Sequence, residues 1–234
     1  MNDTLLLDPV RVLRGPGHSV QLGAVLINQG VLVGFDDEAR QQALGLGIKA
    51  RPAADQLVAP CLVDPHSVLE TPFSGDKETA VSLRHSAAAG GYGQIALLPR
   101  SSSWRDRPER LQGFSLDQDQ TATVRLHLWG GFSSGGKGDE VAPHGDLLEH
   151  GAIGLADDDA MLPTPLLERG LLLGEMGGCP VLVAPRDPAL QGEGLVREGV
   201  ETLRAGWPAD PVTSETLPLG QVLLLHQRHP ERPL

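Results

Sequence analysis

GAIGLADDDAMLPTPLLERGLLLGEMGGCPVLVAPRDPAL, residues 151–190, holds one complete strand–helix–strand pattern, and its reading decides the fold. Ala152–Leu155 is a short apolar run ended by Asp157-Asp158-Asp159. Pro165–Met176 reads as a helix stopped by Gly177-Gly178. Val181–Val183 is the next short apolar run. Short apolar runs that alternate with helical stretches imply a parallel sheet with helical crossovers.

The same alternation extends outward in both directions. Upstream, Leu57–Val63, Ile95–Leu98 and Val124–Leu128 read as strands, which makes five with the two above. Glu78–Gly90 reads as a helix with a Gly90-Gly91 stop, Arg105–Leu111 as a short helix and Leu147–His150 as a helical turn. Downstream, Gly194–Leu203 and Thr213–His226 read as helices, the second led by Thr213-Ser214-Glu215 as a cap. The polar stretch 112–123 and the Ser/Gly-rich stretch 130–138 read as loops. Two architectures fit: an open doubly wound sheet or a (β/α)8 barrel. No Gly-rich phosphate loop follows the first strand, which counts against the nucleotide-binding versions of the former.

Residues 4–35 have another texture. Leu5–Leu7, Val10–Leu13, Ala24–Ile27 and Val31–Phe35 are short runs broken by Gly15-Pro16-Gly17 and by Asn28-Gln29-Gly30. Two β runs around an Asn-x-Gly turn predict a hairpin. The expected organisation is a small β-rich domain over 1–55 and an α/β domain over 56–234.

Composition bounds the function. The formal charge is −11, and an acidic surface repels phosphate backbones, so nucleic acid is not an expected partner. Aromatic residues make up only 3%, so the core rests on Leu, Val, Ala and Ile. Cys61 and Cys179 are far apart in apolar runs and read as buried free thiols. The N-terminus lacks a basic segment followed by a long apolar one, and no apolar stretch approaches the ~20 residues of a membrane span. A cytoplasmic protein without a membrane partner is expected.

Leu57-Val58-Ala59-Pro60-Cys61-Leu62-Val63-Asp64-Pro65-His66-Ser67-Val68 resembles the first barrel strand of the dihydroorotase and cyclic amidohydrolase family, which ends in Asp-x-His-x-His and then x-Arg-x-Pro. Lys77-Glu78-Thr79, Ala87–Tyr92 and Ile95–Pro99 fall at the family spacing. Gly151–Asp158 resembles the fourth-strand motif. Pro180–Leu190, continued by Gly192, Gly194, Glu198 and Gly199, resembles the segment that normally reads Pro-Val-x-x-His-Cys-Glu-Asp. The resemblance spans nearly the whole chain. It implies the first five strands of a partial (β/α)8 TIM-type barrel, and a family reaction in which dihydroorotate and N-carbamoyl-aspartate interconvert in pyrimidine biosynthesis. It also implies one or two zinc ions that polarise an amide carbonyl and activate water.

Zinc requires three or more N, O or S ligands at fixed geometry. By the resemblance, His66 and Asp157 stand at ligand positions. The second histidine of the first strand is Val68 and that of the fifth strand is Ala184, and neither side chain can ligate. The family's sixth- and eighth-strand ligands, with the catalytic Asp, would lie beyond Leu234. The substrate-gripping Arg falls on Glu70, which turns attraction for an anion into repulsion, and the family Asn falls on Arg100. The bland alternatives are a polar strand-end residue for His66 and a loop or helix-cap run for Asp157–Asp159. Arg186 and Asp187 read as a local ion pair, and His144, near Asp146, as an unrelated metal candidate. No catalytic residue is assigned. The expectation is a non-catalytic homologue that works as a structural partner, of aspartate carbamoyltransferase or of a second chain completing the barrel. The alternatives are an active zinc hydrolase completed by another chain, and a degenerate fragment.

Overall fold

A computed structural model describes residues 4–69, 78–100, 104–112, 124–157 and 161–234. The chain divides into two compact units, Met1–Cys61 and Leu62–Leu234.

The first unit contains β1 (Thr4–Val12), β2 (Gln21–Asn28), β3 (Val31–Phe35), α1 (Asp36–Gly45) and β4 (Ala50–Val58). They form one sheet in the order β3-β2-β1-β4, antiparallel except that β4 runs parallel to β1. The expected hairpin is β2–β3. Gln29 and Gly30 both have positive φ, 49° and 77°, as a two-residue turn matched to strand twist requires. The runs at Leu5–Leu7 and Val10–Leu13 belong to a single strand whose register shifts between Leu7 and Val10, where Pro9 has no N–H for the ladder. Helix α1 is an addition to the expected strands. Asp36, Asp37 and Glu38 place negative charge on its first turn, where the helix dipole favours it. Ala39 and Ala43 pack on Leu6, Ala24 and Leu26.

The run Leu57–Val63 is not one strand. Leu57 and Val58 pair with Arg11 and Val12 in the first unit. The next strand, β5 (Leu62–Ser67), opens the second unit. Pro60 lies between them, lacks an N–H and restricts the residue before it, so the ladder stops there. The unit boundary therefore falls after Cys61 rather than at 55/56. Cys61 is exposed in this junction, not buried, and Cys179 is partly exposed.

The second unit continues with α2 (Ala80–Ala89), β6 (Tyr92–Leu97), α3 (Pro108–Gln112), β7 (Arg125–Gly131), α4 (His144–Glu149) and β8 (Ala152–Ala156). Then follow α5 (Thr164–Leu173), β9 (Val181–Leu182), α6 (Pro188–Gln191), β10 (Val196–Arg197), α7 (Val200–Ala205), β11 (Ala209–Asp210) and α8 (Thr213–Arg228). The main sheet is parallel throughout, in the order β5-β6-β7-β8-β9. Spatial order equals chain order with no reversal. A doubly wound sheet needs a reversal, so this is the winding of a barrel. The sheet is a curled half-barrel of five strands.

The two faces of this sheet are filled differently. Ile95, Leu97, Leu155 and Val181 face the helices. Leu155 and Val181 pack with Leu147 of α4 and Leu166, Leu167 and Leu171 of α5, and Ile95 and Leu97 with Leu83 and Ala87 of α2. Leu147, Leu155 and Leu167 are wholly buried, each contributing on the order of 1.5–3 kcal/mol of transfer free energy. Their neighbours along the strands, Ala96, Leu98, Trp129, Ala156 and Leu182, form a second cluster on the opposite face, where Val68 joins them. Strand β8 has a bulge. From Leu128 to Gly130 strand β7 advances two residues, while its partner advances from Ala152 to Leu155.

Local chemistry sets the helix ends. In α2, Thr79 and Ser82 form a reciprocal capping box. Helix α5 ends on Gly174 in the left-handed conformation. The cap expected at Thr213-Ser214-Glu215 is not formed: the N-cap of α8 is Val212, and the Ser214 hydroxyl donates to Asp210 Oδ1 at 2.7 Å. The helix expected over Gly194–Leu203 is instead β10 followed by α7, with β10 paired to β11. A Cβ on Gly194 would lie 2.6 Å from Asp210 Cα, so this glycine serves a close backbone approach.

Candidate functional site

All five strands run parallel, so their C-terminal ends form one rim, the edge where barrel enzymes place their chemistry. His66 lies in β5 and is exposed. Its backbone N–H donates to Asp64 Oδ1 at 2.9 Å, and the Ser67 hydroxyl donates to the other oxygen at 2.5 Å. Val68, just past β5, turns inward onto the apolar cluster. Arg100 follows β6 and is partly buried. Ala184 follows β9 and is partly buried. Glu70, Lys77, Asp158 and Asp159 lie outside the described residues.

Asp157 follows β8 and its carboxylate reaches the end of β7. Oδ1 accepts from the backbone N–H of Phe132 at 2.9 Å and of Ser133 at 3.0 Å. Oδ2 accepts from the Ser133 hydroxyl. The Ser133 oxygen also accepts from Gly138 N–H at 3.3 Å. A carboxylate that takes two backbone amides and a hydroxyl clamps the loop after β7, a stronger role than the expected helix cap.

Three residues that the sequence reading passed over dock on the same rim. The Trp104 indole donates to Ser133 O at 3.0 Å, and its ring leaves no room for a side chain at Gly131. Arg105 is buried between the ends of β6 and β7. It donates to Leu97 O at 2.5 Å and to Trp129 O at 3.0 Å. Burial pushes its pKa down to about 10, so the guanidinium stays charged at neutral pH. Asp106 accepts from Gly135 N–H at 2.7 Å and from Arg110 at 2.9 Å. A strand-end tryptophan–arginine–aspartate triplet next to a Gly-rich loop is the signal that was available in the sequence.

Trp129, on β7, crosses the inner face. Its indole N–H donates to Pro65 O, beside His66, at 2.8 Å. At the other end, a Cβ on Gly154 of β8 would lie 2.5 Å from Trp129 Cζ3. The ring thus spans from β8 to β5 across the inner face.

Two further expectations are corrected. His144 is not a metal ligand beside Asp146. It is buried, donates from Nε2 to Phe132 O at 2.9 Å and packs on the Phe132 ring at 4.6 Å. Burial holds its pKa below the ordinary imidazole value. Arg186 and Asp187 do not pair with each other. Arg186 donates twice to Gln191 Oε1, at 2.9 and 2.6 Å, while Asp187 caps α6 through the N–H groups of Ala189 and Leu190.

A zinc ion does not fit these residues. Two of the assigned positions, Val68 and Ala184, carry no donor atom, and the Asp157 carboxylate is turned to the loop after β7. Among the described residues, no group of three His, Cys, Asp or Glu side chains is placed to hold a metal ion.

No family model matches the chain. Solved structures of similar fold include L-hydantoinase (dihydropyrimidinase) from Arthrobacter aurescens, with a TM-score of 0.64 and 16% identity, covering 98% of this chain and 51% of that one. Dihydropyrimidinase from Brevibacillus agri gives a TM-score of 0.68 at 17% identity, covering 97% of this chain and 50% of that one. The fold is that of one half of a hydantoinase-type structure. Among curated relatives, a probable dihydroorotase-like protein of Synechocystis is 32% identical over 195 residues, 74% of this chain and 44% of that protein. A dihydroorotase of Geobacter is 30% identical over 203 residues, 86% of this chain and 47% of that protein. This chain belongs to the dihydroorotase-like cyclic amidohydrolases. It spans about half the length of the curated relatives it matches.

Proposed function

We propose that the chain is a non-catalytic member of this family that works by association with another protein. The single observation behind this reading is the state of the rim. Val68 and Ala184 offer no ligand atom, and the one matched carboxylate, Asp157, holds the loop after β7. Metal-activated water, the means by which the family mechanism attacks an amide, has no support from such a set. Aspartate carbamoyltransferase is the partner proposed first, in the cytoplasm. Among the described residues, no helix is long and apolar enough to cross a membrane.

One observation favours a second reading. The sheet ends at β5 and β9, and Leu62 and Val63 on β5 are about half exposed, at 54% and 55%. At β9 the Val181 N–H donates to Pro233 O, so it is the β5 edge, with its exposed apolar side chains, that invites pairing with another chain. Such a chain would complete an active zinc hydrolase. Sedimentation velocity of the purified full chain with aspartate carbamoyltransferase, alongside a zinc-supplemented dihydroorotate assay, separates the two. Co-sedimentation without turnover is expected. Zinc-dependent turnover of dihydroorotate, alone or with an added polypeptide, would replace the first reading with the second.

A further inference from the structure

We propose that the inner rim of the half-barrel is sealed by the protein's own side chains, so that restoring the absent histidines alone would not restore a metal site. The proposal deepens the non-catalytic reading and rests on it. Loss of ligands and loss of space are separate events, and the two have different signatures. Val68 and Ala184 record the first. Trp129 and the Asp157 clamp record the second.

The seal has two parts. The first is steric. The Trp129 indole is tied at one end to Pro65 O and seated at the other against Gly154, with Ala96, Leu98, Ala156 and Leu182 packed around it. The indole thereby fills the inner face between β5 and β8, the strands from which His66 and Asp157 would have to converge to about 2.0–2.3 Å from a metal. The second part is directional. Asp157 aims Oδ1 at the Phe132 and Ser133 N–H groups and Oδ2 at the Ser133 hydroxyl, so both oxygens are turned to the loop after β7. These partners belong to a loop pinned by Trp104 and Asp106, so the carboxylate cannot swing inward without breaking several bonds together.

The test uses the full chain in three forms: unsubstituted, with Val68→His and Ala184→His, and with those two plus Trp129→Leu and Ser133→Ala. Zinc uptake is read by competition with a chromophoric chelator, and the melting temperature is followed with and without zinc, since a bound metal raises it. The histidine pair in the native surroundings is expected to change apparent zinc affinity by about tenfold or less, with no zinc-dependent shift in melting. The four-substitution form, with His66, two new histidines and an Asp157 Oδ2 relieved of the Ser133 hydroxyl, is expected to take up one zinc and to melt higher in its presence. Stoichiometric zinc in the histidine pair overturns the seal but leaves the non-catalytic reading standing. Stoichiometric zinc in the unsubstituted chain overturns both. Failure of a folded four-substitution form to bind zinc also overturns the seal as the barrier. Should that form not melt cooperatively, Trp129→Leu with the histidine pair takes its place. Measurable uptake is expected there, and none counts against the proposal.

Discussion

The two ends of the sheet's rim contrast. At β7 and β8 the polar groups are buried and paired: Asp157 with Phe132 and Ser133, Arg105 with two strand-end carbonyls, and His144 with Phe132 O. At β5, His66 is exposed, and the apolar Leu62 and Val63 face outward. Each end carries a residue that the family resemblance places at a ligand position. Asp157 is bonded into the framework and the His66 side chain lies at the surface. The difference teaches that two polar residues matched by the same resemblance can have very different structural weight.

Three substitution experiments set the two ends against each other. The largest effect is expected in the core beneath the β7–β8 end. Leu155→Ala should cost about 2–5 kcal/mol in chemical denaturation, whereas Val63→Ala on β5, already half exposed, should stay within about 0.5 kcal/mol. Equal costs would mean that the β5 edge is covered in solution. Next in size is the pair of matched residues. Asp157→Asn removes a charged acceptor from two amides and a hydroxyl and should cost roughly 1.5–3 kcal/mol, while His66→Ala should be nearly neutral. A costly His66→Ala would assign that side chain a role in the fold. The smallest effect is the pH response. Because burial lowers the folded-state pKa of His144 below 6.5, the unfolded chain takes up the proton first as pH falls. The stabilisation is therefore full above about pH 6.5 and is lost on acidification towards the folded-state value. His144→Gln should flatten that slope in urea titrations at pH 7 and pH 5, and an unchanged slope would place the effect elsewhere.

Much of the second unit was legible because its strands are short apolar runs between strong stops. Ile95–Leu98, Ala152–Leu155 and Val181–Val183 all overlap observed strands, with ends off by one to three residues at most. The choice between two α/β architectures was not legible from periodicity, since both use the same local pattern, and only strand order distinguishes them. Helix α1 was passed over because its inward face consists of two alanines, Ala39 and Ala43, among charged and amide residues. The Leu57–Val63 run misled for the opposite reason: continuous apolar character hid the effect of Pro60. At the rim, the absence of ligands at 68 and 184 could be read from residue types alone. The role of Asp157 could not, because its partners Phe132 and Ser133 are more than twenty positions away and contribute backbone amides, which no residue type reveals. Arg105 was illegible as well: a lone arginine beside a polar stretch reads as surface until its acceptors, Leu97 O and Trp129 O, are seen.

Gly154 has a consequence for strand spacing. A side chain at residue 154 would meet Pro180 O at 2.4 Å and the Trp129 ring at 2.5 Å, so this glycine lets a neighbouring backbone and an indole approach the same point of β8. Any larger residue at 154 would collide with both, so the position couples the spacing of β8 and β9 to the seating of the indole, and a change at one of the three is felt at the other two.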